Sequence, residues 1–218
     1  MSQAALMDYY RRRAGKYERI YQKPGSQTDL ACLREYLRLR VAGRPVLELA
    51  CGTGYWTAAA ADIVDSIPAT DASEELLAIA SAKGLEPAHV SFSLGDAYHP
   101  VRPEHDFTAG LAAFWWSHIP RERRAAFLVS FHAALAPGAR VVFADNRFVE
   151  GSSTPICRTD TTGNTYQLRQ LQDGTTHEVL RNFPSSEELH DILKPYSGTV
   201  EVTEFDYFWC ASYDAHRA

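Results

Sequence analysis

Val46-Leu47-Glu48-Leu49-Ala50-Cys51-Gly52-Thr53-Gly54-Tyr55-Trp56-Thr57 decides how this chain folds. Val46 to Ala50 read as a buried strand, because a short apolar run that ends in a turn signal suits the interior of a parallel sheet. Gly52 and Gly54 permit a tight turn and a close backbone approach. Tyr55 onward opens an alanine-rich helix. A strand, a glycine turn and a helix N-terminus together make a pocket for the polar part of a nucleotide-like cofactor. Dinucleotide-binding folds use the same Gly-x-Gly, so the discrimination rests on Glu48, four residues before Gly52. A carboxylate there repels a pyrophosphate and suits a cofactor that carries an ammonium and a sulfonium. Thr57 also stands where close helix–strand packing in a dinucleotide fold wants Gly or Ala.

Glu48-Leu49-Ala50-Cys51-Gly52-Thr53-Gly54 resembles the first motif of the class I S-adenosylmethionine-dependent methyltransferases, of the type found in small bacterial enzymes acting on small molecules. The later motifs match in their order too. Ala69-Thr70-Asp71-Ala72-Ser73 closes the next strand, with Asp71 19 residues after Gly52. A carboxylate near that spacing accepts from both ribose hydroxyls in α/β nucleotide folds. Gly95-Asp96-Ala97 looks like the family's adenine-edge motif, with Asp96 accepting from the exocyclic amine. The resemblance covers residues 44–145 and, more loosely, 8–22. It implies S-adenosyl-L-methionine as cofactor, held by Tyr17, Glu48, Ala50, Gly52, Gly54, Asp71, Ala72, Asp96, Ala97 and Phe114.

Composition fits one enzyme domain over residues 1–218. A chain of 218 residues with 45% hydrophobic content buries a large core. Its net charge of −5 argues against a nucleic-acid partner. Cys32, Cys51, Cys157 and Cys210 form no Cys-x-x-Cys pair and show no metal-ligand spacing, so no metal is expected. Reduced thiols, no signal-like run in residues 1–25 and no apolar run of membrane-spanning length lead to the expectation of a cytoplasmic protein with no membrane partner. Oligomeric state is not legible.

Alternating strand and helix patterns predict a Rossmann-like, doubly wound α/β fold. The resemblance adds a seven-stranded, mostly parallel sheet whose last strand is antiparallel, with helices on both faces. Leu30, Leu33, Leu37 and Val41 mark a helix ending at Gly43. Strands are expected at 46–50, 66–70, 90–94, 107–114 and 139–145, with helices reaching about Val64, over 73–82 and from Pro120 to about Ala136. Residues 146–183 read as a loop to Asn164 and then a hairpin turning at Asp173-Gly174. Ser185-Ser186-Glu187-Glu188 caps a further helix, and Thr199 to Tyr213 supplies the last one or two strands.

Phe114-Trp115-Trp116-Ser117-His118-Ile119-Pro120 begins where the fourth strand reaches the ligand edge of the sheet. In the family this segment passes beneath the methionine part of the cofactor and starts the acceptor pocket. Adjacent tryptophans cannot face the same way from an extended strand, so one lines a pocket while the other packs, or both are core. His118 is either a general base for a hydroxyl or ammonium acceptor or a residue that orients its loop. Tyr10, Tyr17 and Tyr21 share one helical face in a segment that resembles the family's N-terminal lid, placed within residues 1–25. The same stripe also serves to dock a terminal helix.

The expected chemistry is direct in-line methyl transfer to an O or N nucleophile of a small molecule, with His118 as the catalytic candidate. Tyr10, Trp115 and Trp116 are the acceptor-binding candidates. A non-catalytic S-adenosylmethionine-binding module and an NAD-dependent oxidoreductase are the alternatives. The acceptor itself is not readable.

Overall fold

The computed structural model describes residues 9–100, 106–171 and 173–216. Five parallel strands build the main sheet: β1 (Val46–Leu49), β2 (Ile67–Asp71), β3 (Val90–Leu94), β4 (Ala109–Ala113) and β5 (Arg140–Asn146). Three more strands, β6 (Ile156–Thr159), β7 (Thr165–Gln170) and β8 (Thr176–Leu180), leave it to form a separate antiparallel sheet. The chain then returns through β9 (Val200–Glu204) and β10 (Phe208–Asp214). The main sheet has the order β3-β2-β1-β4-β5-β10-β9, and β10 lies antiparallel to both neighbours. That is the expected seven-stranded, mostly parallel sheet with an antiparallel last strand.

Successive side chains of a strand face opposite ways, and the core divides accordingly. Val46, Leu111 and Val142 join one cluster with α1 (Gln27–Val41) and α2 (Tyr55–Ala60). Leu47, Leu49, Ala112 and Phe143 join the other with α4 (Arg124–Ala133) and α5 (Ser186–Leu193), while α3 (Glu74–Ser81) packs near β2 and β3. Leu30, Leu33, Leu37 and Val41 are buried as their spacing predicts. Ser73 and Ser185 cap α3 and α5 by accepting from Leu76 and Glu188 backbone N–H groups. Both caps are legible from the sequence.

Two expectations need correction. The helix from Pro120 starts as a 3-10 turn and is α-helical only from Arg124 to Ala133. The segment expected to be irregular to Asn164 contains β6, an exposed edge strand too short to show alternation. The predicted hairpin at Asp173-Gly174 does form, with Gly174 at φ 83. It does not extend the main sheet. Instead the end of β8 is stitched to the segment after β4, where Asn182 N–H donates to the Ser117 carbonyl at 2.9 Å. Asn182 Nδ2 donates to the Ile119 carbonyl at 3.1 Å.

The small sheet therefore stands over the carboxyl edge of β4. The N-terminal segment covers the same edge, helical over 9–13 and a 3-10 helix over Ala14–Gln22. Glu18 accepts from Thr53 Oγ1 at 2.8 Å and Lys83 Nζ at 2.7 Å, fastening the segment to the glycine loop. Arg12 pairs with Asp173, fastening it to the hairpin. No described helix is long and apolar enough to cross a membrane.

Gly110 tests the packing beneath the site. A Cβ there would meet Leu135 Cδ1 and Phe131 Cζ, each at 2.7 Å. Gly110→Ala should lower stability by ~1–3 kcal/mol in a denaturant melt, as overpacked cores do.

Candidate active site

The sheet order reverses between β1 and β4, and open α/β folds bind ligands in the crevice at that point. Both strands end in a backbone turn that L residues rarely adopt: Ala50 has φ 54 and Phe114 has φ 61. Each such residue costs on the order of 1–3 kcal/mol, and such strain gathers at ligand sites. The two turns swing the chain away from the sheet and leave a cavity of about 690 Å³ between them. Tyr17, Ala50, Gly52, Asp71, Ala72, Asp96, Ala97 and Phe114 line it, eight of the ten residues expected to hold the cofactor. Tyr10, Trp115 and His118 line it as well.

Gly52 has φ 58, and among the described residues a Cβ there would meet only Tyr17 Cε1, at 3.8 Å. The space above it is open for a ligand to approach the backbone. Asp71 accepts from Gly52 N–H and from Ser73 N–H, both at 2.9 Å, so one carboxylate holds the glycine loop and the start of α3 together. Burial raises its pKa, and the backbone N–H groups oppose that rise. Asp96 accepts from Tyr98 N–H and His99 Nδ1, each at 2.9 Å, with its side chain partly exposed. This donor and acceptor set fits an adenosyl ligand: an open glycine cradle, an acid at the second strand and an acid at the third.

Three expected contact residues lie outside the cavity lining. Glu48 is 1% exposed beneath the loop, where Thr57 Oγ1 donates to it at 2.6 Å. Burial pushes its carboxyl up to about 8, so it is largely protonated at neutral pH. The repulsion argument made for a charged Glu48 therefore fails for the folded protein. Gly54 is a packing residue: a Cβ would meet Ala80 Cβ at 3.0 Å and Phe92 Cζ at 3.1 Å. Trp116 is 0% exposed and packs on Phe143 and Trp209, so it is core and not an acceptor wall. Its neighbour Trp115 faces the cavity, but from the turn that follows β4 and not from an extended strand, so strand alternation is not what separates the two.

The tyrosine stripe is a chain of edge-on contacts, Tyr10 to Tyr17 at 5.7 Å and Tyr17 to Tyr21 at 6.4 Å between ring centroids. His118 sits at its end. Its Nδ1 is 3.0 Å from the Leu180 carbonyl, while Nε2 is 2.6 Å from Tyr10 Oη and 3.0 Å from Arg181 Nη1. An arginine only donates, so Nε2 accepts and Nδ1 donates to Leu180. Burial, with the charge of Arg181 added, holds the imidazole pKa well below its usual value. The histidine is neutral, and its one lone pair is already engaged.

A second cavity of about 970 Å³ adjoins the first, with Tyr10, Tyr17 and Phe114 common to both. Arg13, Arg169 and Arg181 line this second chamber and were not singled out from the sequence. A signal existed: Gln167 and Arg169, then Val179 and Arg181, alternate along the two arms of the hairpin and share its inner face.

Gly52 and Gly54 separate cofactor space from packing. Gly52→Val should lose the rise in melting temperature that S-adenosylhomocysteine gives, each protein being compared with its own ligand-free baseline. Gly54→Ala should lower the baseline and keep the rise. A rise that survives in Gly52→Val contradicts the placement.

A methyltransferase-domain family model matches residues 46–138. DhpI in complex with SAH is 31% identical, with 98% of this chain and 96% of that chain covered at a TM-score of 0.80. DhpI in complex with SAM and HEP is also 31% identical, with 97% and 98% covered at a TM-score of 0.76. The CcbJ methyltransferase from Streptomyces caelestis shares the fold at 17% identity, with 84% and 88% covered and a TM-score of 0.61. No curated protein matches the chain. S-adenosylmethionine is thus the cofactor that the glycine cradle and the acids of the second and third strands suit, and the chain belongs to the S-adenosylmethionine-dependent methyltransferases.

Proposed function

We propose that this enzyme transfers the methyl group of S-adenosylmethionine to an O or N nucleophile of a small molecule, by direct in-line displacement. The observation that carries the proposal is the pair of adjoining cavities that share Tyr10, Tyr17 and Phe114. One has the cradle for the adenosyl group, and the other has room for a second ligand beside it. The known complex of DhpI with SAM and HEP supports a site that holds two ligands together. Lid, core and small sheet are read as parts of one domain, 1–218, working in the cytoplasm without a nucleic-acid partner.

When bound, S-adenosylmethionine supplies an electrophilic methyl on a sulfonium sulfur. Asp71 is proposed to accept from the ribose hydroxyls and Asp96 from the adenine amine, with Ala72 and Ala97 against the purine. Gly52 and Ala50 would hold the methionine end, and Phe114 would bound the cavity beside the transferred methyl group. Tyr10, Tyr17 and Phe114 wall the junction, with Trp115 on the cofactor side, and together they exclude water, which strengthens electrostatic interactions there. Holding two reactants in near-attack geometry supplies on the order of 7–11 kcal/mol, so positioning alone accounts for much of the rate.

His118 enters this scheme as a positioning residue and not as the base first expected. A general base needs a free lone pair directed at the acceptor. Nε2 of His118 already takes hydrogen bonds from Tyr10 and Arg181. Burial also raises the Tyr10 and Tyr17 hydroxyl pKa values, the latter to about 12, so neither serves as a phenolate base.

The test is release of S-adenosylhomocysteine on addition of a panel of small acids, amines, phenols and thiols. His118→Ala should raise the KM of the acceptor found and lower kcat by one factor at every pH from about 6 to 9. S-adenosylhomocysteine affinity should hold. A loss that shrinks as pH rises would restore His118 as the base.

A further inference from the structure

The second chamber has an unusual charge balance. Among the described residues Arg13, Lys23, Arg147, Arg169 and Arg181 line it, and no Asp or Glu does. Arg147 pairs with Glu204 at 3.3 Å, and Arg181 reaches Asp145 only at 3.7 Å. Among the described residues no ion pair involves Arg13 or Arg169. Arg169 donates to Gln167 Oε1 at 2.6 Å, a neutral partner. Burial and the charges of Arg181 and Arg13 press its pKa below the usual arginine range. Arg181 is 11% exposed, and its buried Nε has no hydrogen-bond partner. Gathering like charges in a half-buried chamber is costly unless an anion joins them.

The position of these groups is not accidental to the reaction. Arg169 and Arg181 stand on the inner face of the β7–β8 hairpin, and Arg181 donates to the histidine that also holds Tyr10. Tyr10 is common to both cavities, so the arginines and the cofactor space meet at one wall. Among the described residues no base with a free lone pair stands at that wall. A nucleophile that arrives already deprotonated needs none.

We propose that the acceptor is an oxyanion, a small carboxylate or phosphorus oxyacid gripped by Arg169, Arg181 and Arg13, and that its own oxygen takes the methyl group. This rests on the methyltransferase reading above. An oxyanion lone pair forms the O–CH3 bond as the C–S bond pair returns to sulfur. The sulfonium becomes a neutral thioether, one negative charge of the acceptor is lost in the ester, and no proton moves. An ammonium acceptor faces five cations in the same chamber and is disfavoured.

The test uses the full chain, first titrated with S-adenosylhomocysteine alone. Failure at that step defeats the cofactor reading and is scored separately. The saturated complex is then titrated with acetate, methylphosphonate or ethylammonium at constant ionic strength, and the same probes are offered with methyl-labelled S-adenosylmethionine. Binding of acetate or methylphosphonate is expected, with labelled methyl ester formed from whichever binds, and the preference between them identifies the acid class.

Arg169→Gln should weaken that anion by about 10-fold to 100-fold, the worth of a charge-assisted hydrogen bond. Its S-adenosylhomocysteine affinity should stay within about 2-fold, since Arg169 is outside the cofactor cavity. Arg169→Lys should restore part of the loss, and Arg13→Gln serves if Arg169→Gln does not fold. The proposal is overturned by binding of ethylammonium in preference to both anions, or by neither anion binding to a competent S-adenosylhomocysteine complex. Unchanged anion affinity in a folded Arg169→Gln or Arg13→Gln overturns it too.

Discussion

His118 has one ring nitrogen able to accept, and two donors from different parts of the chain converge on it. Tyr10 comes from the N-terminal segment and Arg181 from the end of the small sheet, while Nδ1 is held by the Leu180 carbonyl. The histidine itself leaves the main sheet just after β4, within a 3-10 turn over Trp116–His118. One neutral imidazole thus joins lid, sheet edge and small sheet. A protonated imidazole loses the acceptor and faces the Arg181 charge, so the arrangement requires the neutral form. The shape of the wall between the two cavities follows from that requirement.

The main sheet and its helices were legible because their signals are local. Apolar spacing placed α1, the serine caps placed α3 and α5, and Val90–Leu94 matched its strand end to end. The glycine loop was located correctly, yet its residues were assigned too uniformly. Gly52 faces open space and Gly54 faces Ala80 and Phe92, a difference that depends on α3 and β3 packing from elsewhere in the chain. Glu48 shows a different limit. Its protonation follows from complete burial under α2; the strand reads as buried, yet its carboxylate is expected to be charged.

The acceptor side was less legible for a different reason. Its lining comes from the lid, the β4 exit and a hairpin that no sequence signal attaches to a particular edge. Trp115 and Trp116 read alike in the sequence, and only the turn at Phe114, φ 61, decides which faces the cavity. The arginines were hidden as well: Arg13 lies over the Tyr9 and Tyr17 rings, a placement that its local sequence does not carry. Arg169 and Arg181 lay in alternation on the hairpin, a pattern whose meaning needed the face to be known.

The central claim is that cofactor and acceptor meet at the Tyr10, Tyr17 and Phe114 wall. A crystal structure with S-adenosylhomocysteine bound tests it most directly. The account predicts adenine beside Asp96 and Ala97, ribose hydroxyls on Asp71, and the sulfur facing the three aromatic residues on the side of the arginine chamber. Adenine lodged among the arginines, or a sulfur turned away from Tyr10, would contradict it.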